Sequence, residues 1–242
     1  VVDNSSAFRM DDGVPLVVPE VNPADALHHR GIIANPNCST IQMVVVLNPL
    51  HREYGIARVV VTTFQSVSGT GKNAVEELNR QVRQILDGEP VSTEVYPHQI
   101  AYNALPHIDV FREDGYTREE IKIIEETRKV MGEPGMAITA TAVRVPVLVG
   151  HSESVNIQFE GPVEPEVVRS ILERAPGVEV IDDPAADEYP LAIYCEGKDP
   201  SYVGRIRKDP SAPNAINLWI VSDNLRKGAA LNAVQIAELL LD

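Results

Sequence analysis

The run NPNCSTIQMVVVL over residues 35–47 decides how the chain is read. Asn35-Pro36-Asn37 is a turn signal, because proline fixes its own φ and disfavours helix at the residue before it. From about Ser39 to Tyr54 the pattern becomes helical, with Ile41, Val44, Val45 and Leu47 on the apolar face. Pro49 is expected to kink or shorten that helix. Directly after it, IARVVVTTFQSV (56–67) is rich in β-branched residues and reads as a central strand.

The same alternation extends in both directions. Upstream, Val1-Val2 resembles a strand end, followed by a polar loop from Asp3 to Gly13. Val14–Val18 is short and apolar, and Gly31–Ala34 reads as a second buried strand. Downstream, Ser68-Gly69-Thr70-Gly71 breaks the central strand. Asn73–Leu86 is an amphipathic helix that Gly88 ends as a C-cap.

Glu89–Gly115, with Pro90, Pro97 and Pro106, is a long irregular stretch of the kind that is usually functional or tied down. Thr117 and Glu120 form a capping box for a helix that runs to about Met131. Met136–Val149, Val155–Phe159, Leu191–Cys195, Val203–Ile206 and Ile216–Val221 read as strands. Glu164–Glu173 and Gly228–Leu241 read as helices. The alternation of strand-like and helical patterns favours an α/β or α+β architecture.

Composition narrows the function. The chain has 242 residues, 44% of them hydrophobic, and a formal charge of −14. Such an acidic chain argues against a nucleic-acid groove, but a local cationic pocket for a small anion is compatible with it. No apolar run approaches the roughly 18 residues of a membrane span. Two cysteines, Cys38 and Cys195, are too few for a disulfide framework, and a reducing cytoplasm is the simpler expectation. No His/Cys/Asp cluster has metal-ligand spacing, and the adjacent His28-His29 does not supply one.

Cys38 opens the first helix. Unpaired N–H groups and the positive end of the helix dipole meet there, so a lowered thiol pKa and a reactive thiolate are expected. The bland alternative is a buried structural cysteine. Cys195, in an apolar run, reads as core.

At this point the residues reach a family. Asn35–Thr40 resembles the active-site signature of aspartate-semialdehyde dehydrogenases. Phe64-Gln65-Ser66-Val67-Ser68-Gly69-Thr70-Gly71 is similar to that family's second signature, 27 residues from Cys38 to Gln65. Arg144 and His151, seven apart, and the Glu119-x-x-Lys122 pair also fit.

The resemblance implies Cys38 as the nucleophile that forms an acyl-thioester, His151 as general acid/base and Gln65 as the residue that orients the acyl group. It implies Arg144 on the substrate carboxylate, Glu119 on its amino group, and Arg9 with Lys122 on phosphate. For the cofactor, NADP, it implies Ser68, Gly69, Asn232 and Asn4. Taken singly, each of these has an ordinary reading: surface charge, strand end or turn. Glu119 and Lys122 could be an exposed i,i+3 pair.

The substrate pair is then L-aspartyl-4-phosphate and L-aspartate 4-semialdehyde, and the protein a homodimer or homotetramer. No Gly-rich phosphate loop opens the chain, so residues 1–37 are expected to be the end of a nucleotide-binding domain. Residues 38–226 would be the catalytic and dimerisation domain, α+β with a mixed sheet and flanking helices, and 227–242 a helix returning to the first, so that the chain as a whole is α/β with the tail end of a Rossmann-type nucleotide-binding domain. Two rivals stay open: a related acyl-phosphate reductase such as an N-acetylglutamyl-phosphate reductase, and an inert oligomerisation domain.

Overall fold

The computed structural model describes residues 1–241. Helix α1 (Cys38–Tyr54) is the organising element. It lies against one face of a six-stranded sheet of order β4-β3-β5-β8-β7-β6. These strands are β3 (Ile56–Gln65), β4 (Ala137–Arg144), β5 (His151–Phe159), β6 (Val178–Val180), β7 (Ser201–Lys208) and β8 (Ala215–Ser222). β3 pairs parallel to β4 and β6 to β7; the other three pairings are antiparallel, so the sheet is mixed as expected.

Alternation along the strands builds the core. In β3, Val59, Val61, Thr63 and Gln65 are buried under the helices, while Val60, Thr62 and Phe64 point the other way. Met43, Val46, Leu47 and Leu50 of α1 meet Val59, Val155, Ile157 and Leu218 in one cluster. Helices α3 (Arg118–Met131) and α4 (Pro165–Leu172) complete this layer.

The opposite face is only half-covered. Phe64 and Trp219 meet there with ring centroids 5.6 Å apart, beside Asn156 and Asn217.

Pro49 does not shorten α1, which continues to Tyr54. Seven apolar residues of α1 are buried. At roughly 1.5–3 kcal/mol each they outweigh the roughly 3 kcal/mol of an internal proline. Helix α2 (Lys72–Asp87) ends at Gly88, which takes the left-handed conformation that the C-cap expectation requires.

The irregular stretch after α2 is tied down by that helix. Glu77 carboxylate oxygens accept from the N–H groups of Glu94, Val95 and Tyr96, and Gln81 accepts from Ile100 and Ala101. Thr117 and Glu120 form the expected capping box of α3.

Leu191–Cys195 departs from expectation. It contains a short helix, α5 (Ala192–Cys195), not a strand. Cys195 is buried against Tyr202 and Val221 with Ala192 partly buried beside it, while Ile193 and Tyr194 are exposed. An apolar run this short fits either element, and periodicity cannot separate them. The segment between Arg144 and His151 is likewise a connection between β4 and β5, not part of one long strand.

At the N-terminal end, β1 (Val2–Asp3) pairs parallel to β2 (Ile33–Ala34). The closing segment is a π-helical turn, Arg226–Ala230, running into α6 (Leu231–Glu238). Ile236 of α6 packs on Val17, Ala26 and Ile33.

Candidate active site

The sheet gathers the candidate residues at one end. Gln65 and Arg144 are register partners at the C-terminal ends of the parallel strands β3 and β4. His151 begins β5 and pairs with Ser222 at the end of β8. The N-terminus of α1 arrives at this same end and brings Cys38. A cavity of ≈ 550 Å³ opens there, lined among others by Cys38, Gln65, Arg144 and Glu119. Arg9, Lys122, Ser68, Gly69 and Asn4 also line it.

Asn37 builds the corner that holds Cys38. Its Oδ1 accepts from the N–H groups of Ser39 and Thr40 at 2.9 and 3.4 Å, capping α1. Its own N–H donates to Glu126 Oε2 at 2.6 Å, and its Nδ2 to Glu119 Oε1 at 2.8 Å. Gln65 Nε2 donates to the same Glu119 oxygen at 3.0 Å. One carboxylate therefore ties together the helix start, the strand end and α3.

The cysteine reverses an expectation. Burial pushes the Cys38 thiol up to about 12, and the Glu119 carboxylate adds to the shift. Arg144, the Ser39 N–H and Arg9 oppose it without prevailing. The helix N-terminus acts in the expected direction, but Asn37 has already engaged the first-turn amides, and desolvation is the larger effect.

The cations fall into two groups. Arg144 is 4% exposed; its Nη1 donates to the Ser66 carbonyl at 2.7 Å, while its buried Nε has no protein partner among the described residues. Arg9 pairs with Glu126 at 3.0 Å and donates to the Asn4 carbonyl. Lys122 lies 2.7 Å from Asp109 and 3.5 Å from Glu119. The i,i+3 pair thus exists, but it faces the cavity. Asp109, from the irregular stretch, was missed in the sequence; nothing local marks it.

His151 and Asn232 do not line the cavity. His151 is fully buried, and its edge lies 3.1 Å from where a Cβ on Gly69 would stand. Burial, with the Arg144 charge beside it, pushes the ring down to about 3. Asn232 is engaged throughout: it accepts from Lys227 Nζ and donates to Asn35 Oδ1 and the Val17 carbonyl. Asn35 in turn donates to Asn4 Oδ1. Asn232 thus supports the Asn35–Asn37 turn from behind.

Three other residues escaped sequence reading. Asn224, just past β8, bonds Gly150, Ser66 and Ser68. Glu126 reads from its pattern as an ordinary charge on α3. Gly228 lies where an added Cβ would be 2.9 Å from the Cβ of Cys38. Gly228→Ala is therefore expected to displace Cys38 and slow its reaction with a small alkylating agent at least tenfold, with the folded circular-dichroism spectrum kept. Peptide mass spectrometry over time measures it, and an unchanged rate would contradict the packing.

Two further groups lie outside this chemistry. Glu153 is wholly buried in β5, and burial holds its carboxyl well above the usual range, so the neutral form is favoured. Among the described residues no group of His, Cys, Asp and Glu could hold a metal, and no helix is long and apolar enough to cross a membrane.

A thiol at a helix start that shares a cavity with an amide and a guanidinium, with an imidazole buried behind Gly69, is a site for acyl chemistry. Comparison with known proteins agrees with that class. Residues 47–227 match the model of the semialdehyde dehydrogenase dimerisation domain, and residues 1–29 match the semialdehyde dehydrogenase NAD-binding domain.

The chain is 56% identical over 244 residues to the aspartate-semialdehyde dehydrogenase of Aquifex aeolicus, covering 100% of the chain and 72% of the relative. The crystal structure of aspartate semialdehyde dehydrogenase II from Vibrio cholerae superposes with a TM-score of 0.97 at 48% identity. It covers 100% of this chain and 72% of that one, as does the same enzyme complexed with ASA. The Candida albicans enzyme with NADP superposes at 0.75 and 27% identity, over 100% of this chain and 70% of that one. The chain belongs to the aspartate-semialdehyde dehydrogenase family, oxidoreductases of amino-acid biosynthesis.

Proposed function

We propose that the chain carries the conversion of L-aspartyl-4-phosphate and L-aspartate 4-semialdehyde through a thioester on Cys38. The observation that carries this reading is the meeting of Cys38, Gln65, Arg144, Arg9 and Lys122 on one cavity. Arg144 offers a planar fork to the substrate carboxylate. Lys122 and Arg9 draw the phosphate to one side of the cavity. Glu119 Oε2, beside Lys122, receives the substrate amino group, while its Oε1 holds Gln65 and Asn37 in place.

Once the thiol has lost its proton to water, the sulfur attacks the acyl carbon, phosphate departs, and the thioester remains. Gln65 aligns the acyl group, and His151 serves the carbonyl oxygen from beyond Gly69.

Part of the cavity lining is uncharged: Asn4, Ser6, Ser68, Gly69 and Ala229. It suits the neutral carboxamide ring of a reduced nicotinamide, and Ser68, Gly69 and Asn4 would hold that end of the cofactor. When bound, NADPH supplies a hydride to the acyl carbon. The choice of NADP follows the family resemblance and the NADP-bound Candida relative. The two free cysteines suit a reducing cytoplasm.

We read residues 1–37 and 227–242 as parts of a nucleotide-binding domain, and 38–226 as the catalytic and dimerisation domain. The packing of Ile236 on Val17, Ala26 and Ile33 supports that division. The half-covered sheet face around Phe64 and Trp219 fits a second copy of the chain. Sedimentation is expected to give a dimer or a dimer of dimers, and Trp219→Glu to dissociate it; a monomeric parent would refute this.

The functional reading is tested without the nicotinamide step. Incubation with L-aspartyl-4-phosphate is expected to release phosphate and leave an aspartyl adduct on Cys38, found by peptide mass spectrometry. N-acetylglutamyl phosphate should acylate at least a hundredfold more slowly. No adduct, or a preference for the acetylglutamyl compound, would reject the assignment.

A further inference from the structure

Lys122 stands between two carboxylates of the cavity and hydrogen-bonds only one of them. Its Nζ donates to Asp109 Oδ2 at 2.7 Å, while Glu119 Oε2 lies 3.5 Å away. The first contact has the length of a charge-assisted hydrogen bond; the second is an ion pair without one. All three residues line the cavity.

The two oxygens of Glu119 differ in their partners. Oε1 accepts from Asn37 Nδ2 and Gln65 Nε2. Oε2 accepts no hydrogen bond among the described residues, although the side chain is only 7% exposed. A nearly buried carboxylate oxygen beside a cavity calls for a cationic donor. Two can reach it: the ammonium of a ligand, or Lys122 itself. A movement of about 1 Å would bring Lys122 within a charge-assisted bond.

Asp109 is held where it prevents that movement, at a cost to the backbone. Its φ is +68°, in the left-handed region that residues other than glycine seldom adopt. Such a conformation persists where the surroundings over-determine it. Leu105, before it, exchanges both backbone hydrogen bonds with Arg144 at the end of β4, at 2.9 and 2.8 Å. Val110, after it, accepts from the N–H of Arg118 at the start of α3, at 2.9 Å. Asp109 Oδ1 takes the Val110 N–H at 2.9 Å, which leaves Oδ2 for Lys122. Burial works against the charge on Asp109, but the Lys122 and Val110 hydrogen bonds outweigh it and hold the carboxyl below its ordinary value.

We propose that Asp109 is a positioning residue that holds the Lys122 ammonium off Glu119, so that Glu119 Oε2 stays open to the amino group of the substrate. This rests on the proposed reading of Glu119 as the acceptor for that group, and deepens it. Lysine and substrate both offer a primary ammonium, so Glu119 cannot tell them apart by charge or by hydrogen-bonding capacity. Lys122 is also tethered, which favours it as an intramolecular competitor. Without Asp109, Lys122 closes onto Glu119 and takes the place of the substrate amino group. Cys38 reports the same event. The Glu119 carboxylate is second to burial in holding its thiol up. A lysine seated on Glu119 offsets that charge and quickens alkylation.

Asp109→Asn and Asp109→Gly both remove the carboxylate and suit a left-handed backbone. Each is expected to raise KM for L-aspartate 4-semialdehyde at least tenfold. With succinic semialdehyde, which lacks the amino group, kcat/KM at saturating phosphate should change less than threefold. In a Lys122→Met background the same Asp109 changes should move KM for L-aspartate 4-semialdehyde less than threefold, because the competitor is gone. An unchanged KM in the parent background, equal losses with both substrates, or equal losses in both backgrounds would overturn the proposal.

Iodoacetamide labelling of Cys38 at pH 8 needs no turnover. Asp109→Asn should speed it at least threefold, and the Lys122→Met background should abolish the gain. No gain, or a gain that persists in that background, would overturn the proposal whatever the kinetics. A missing aspartyl adduct on Cys38 in the parent would instead reject the functional reading, so the two failures are distinct.

Discussion

Cys38→Ala is expected to lower kcat by about 10⁴-fold or more while the variant still binds substrate, because no other group in the cavity can form the thioester. Steady-state kinetics with L-aspartate 4-semialdehyde and NADP measure it, and calorimetry measures binding. Residual activity within tenfold of the parent would remove Cys38 from the chemistry.

The pH behaviour of the thiol follows from its surroundings. With the thiol held up at about 12 by burial and Glu119, the thiolate fraction rises throughout pH 7–10. Alkylation should therefore climb roughly tenfold per pH unit, with no plateau in that window. Glu119→Gln removes the second cause of the shift and should raise the rate at every pH.

Glu126→Ala is expected to destabilise the fold by about 3–5 kcal/mol, the range for breaking a buried ion pair. Glu126 is 1% exposed, and its two oxygens serve Arg9 and the Asn37 N–H. Truncation strands a guanidinium and a backbone donor together. Burial already holds this carboxyl above its usual range, against the pull of Arg9.

Glu126→Gln keeps an acceptor for Asn37 and should cost less than the alanine change. Urea unfolding decides: a loss under 1 kcal/mol for Glu126→Ala would show that the corner is held by other means.

Much of this site was legible because its residues lie in local patterns. The Asn35–Thr40 run announces a turn and a helix start, and the structure places both there. Gln65 and Arg144 end apolar strand patterns, so their meeting needed only the pairing of β3 with β4. What stayed hidden depends on contacts between distant segments. Asn224 looks like any polar residue after a strand until Gly150 and Ser66 are folded against it. The Cys38 thiol looks activated from its helix position alone, since sequence carries no measure of the desolvation that surrounds it in the fold. Leu191–Cys195 failed for want of length: four or five apolar residues carry no usable period.

The half-covered sheet face has a consequence for substitution as well as for assembly. Gln65, Arg144 and His151 each sit next in sequence to a residue pointing to that face: Phe64, Val143 and Ser152. The two surfaces are the two sides of the same strand ends, one peptide bond apart. A substitution that reshapes this face therefore lies within one residue of a reacting group, and the side chains of the two surfaces share one backbone.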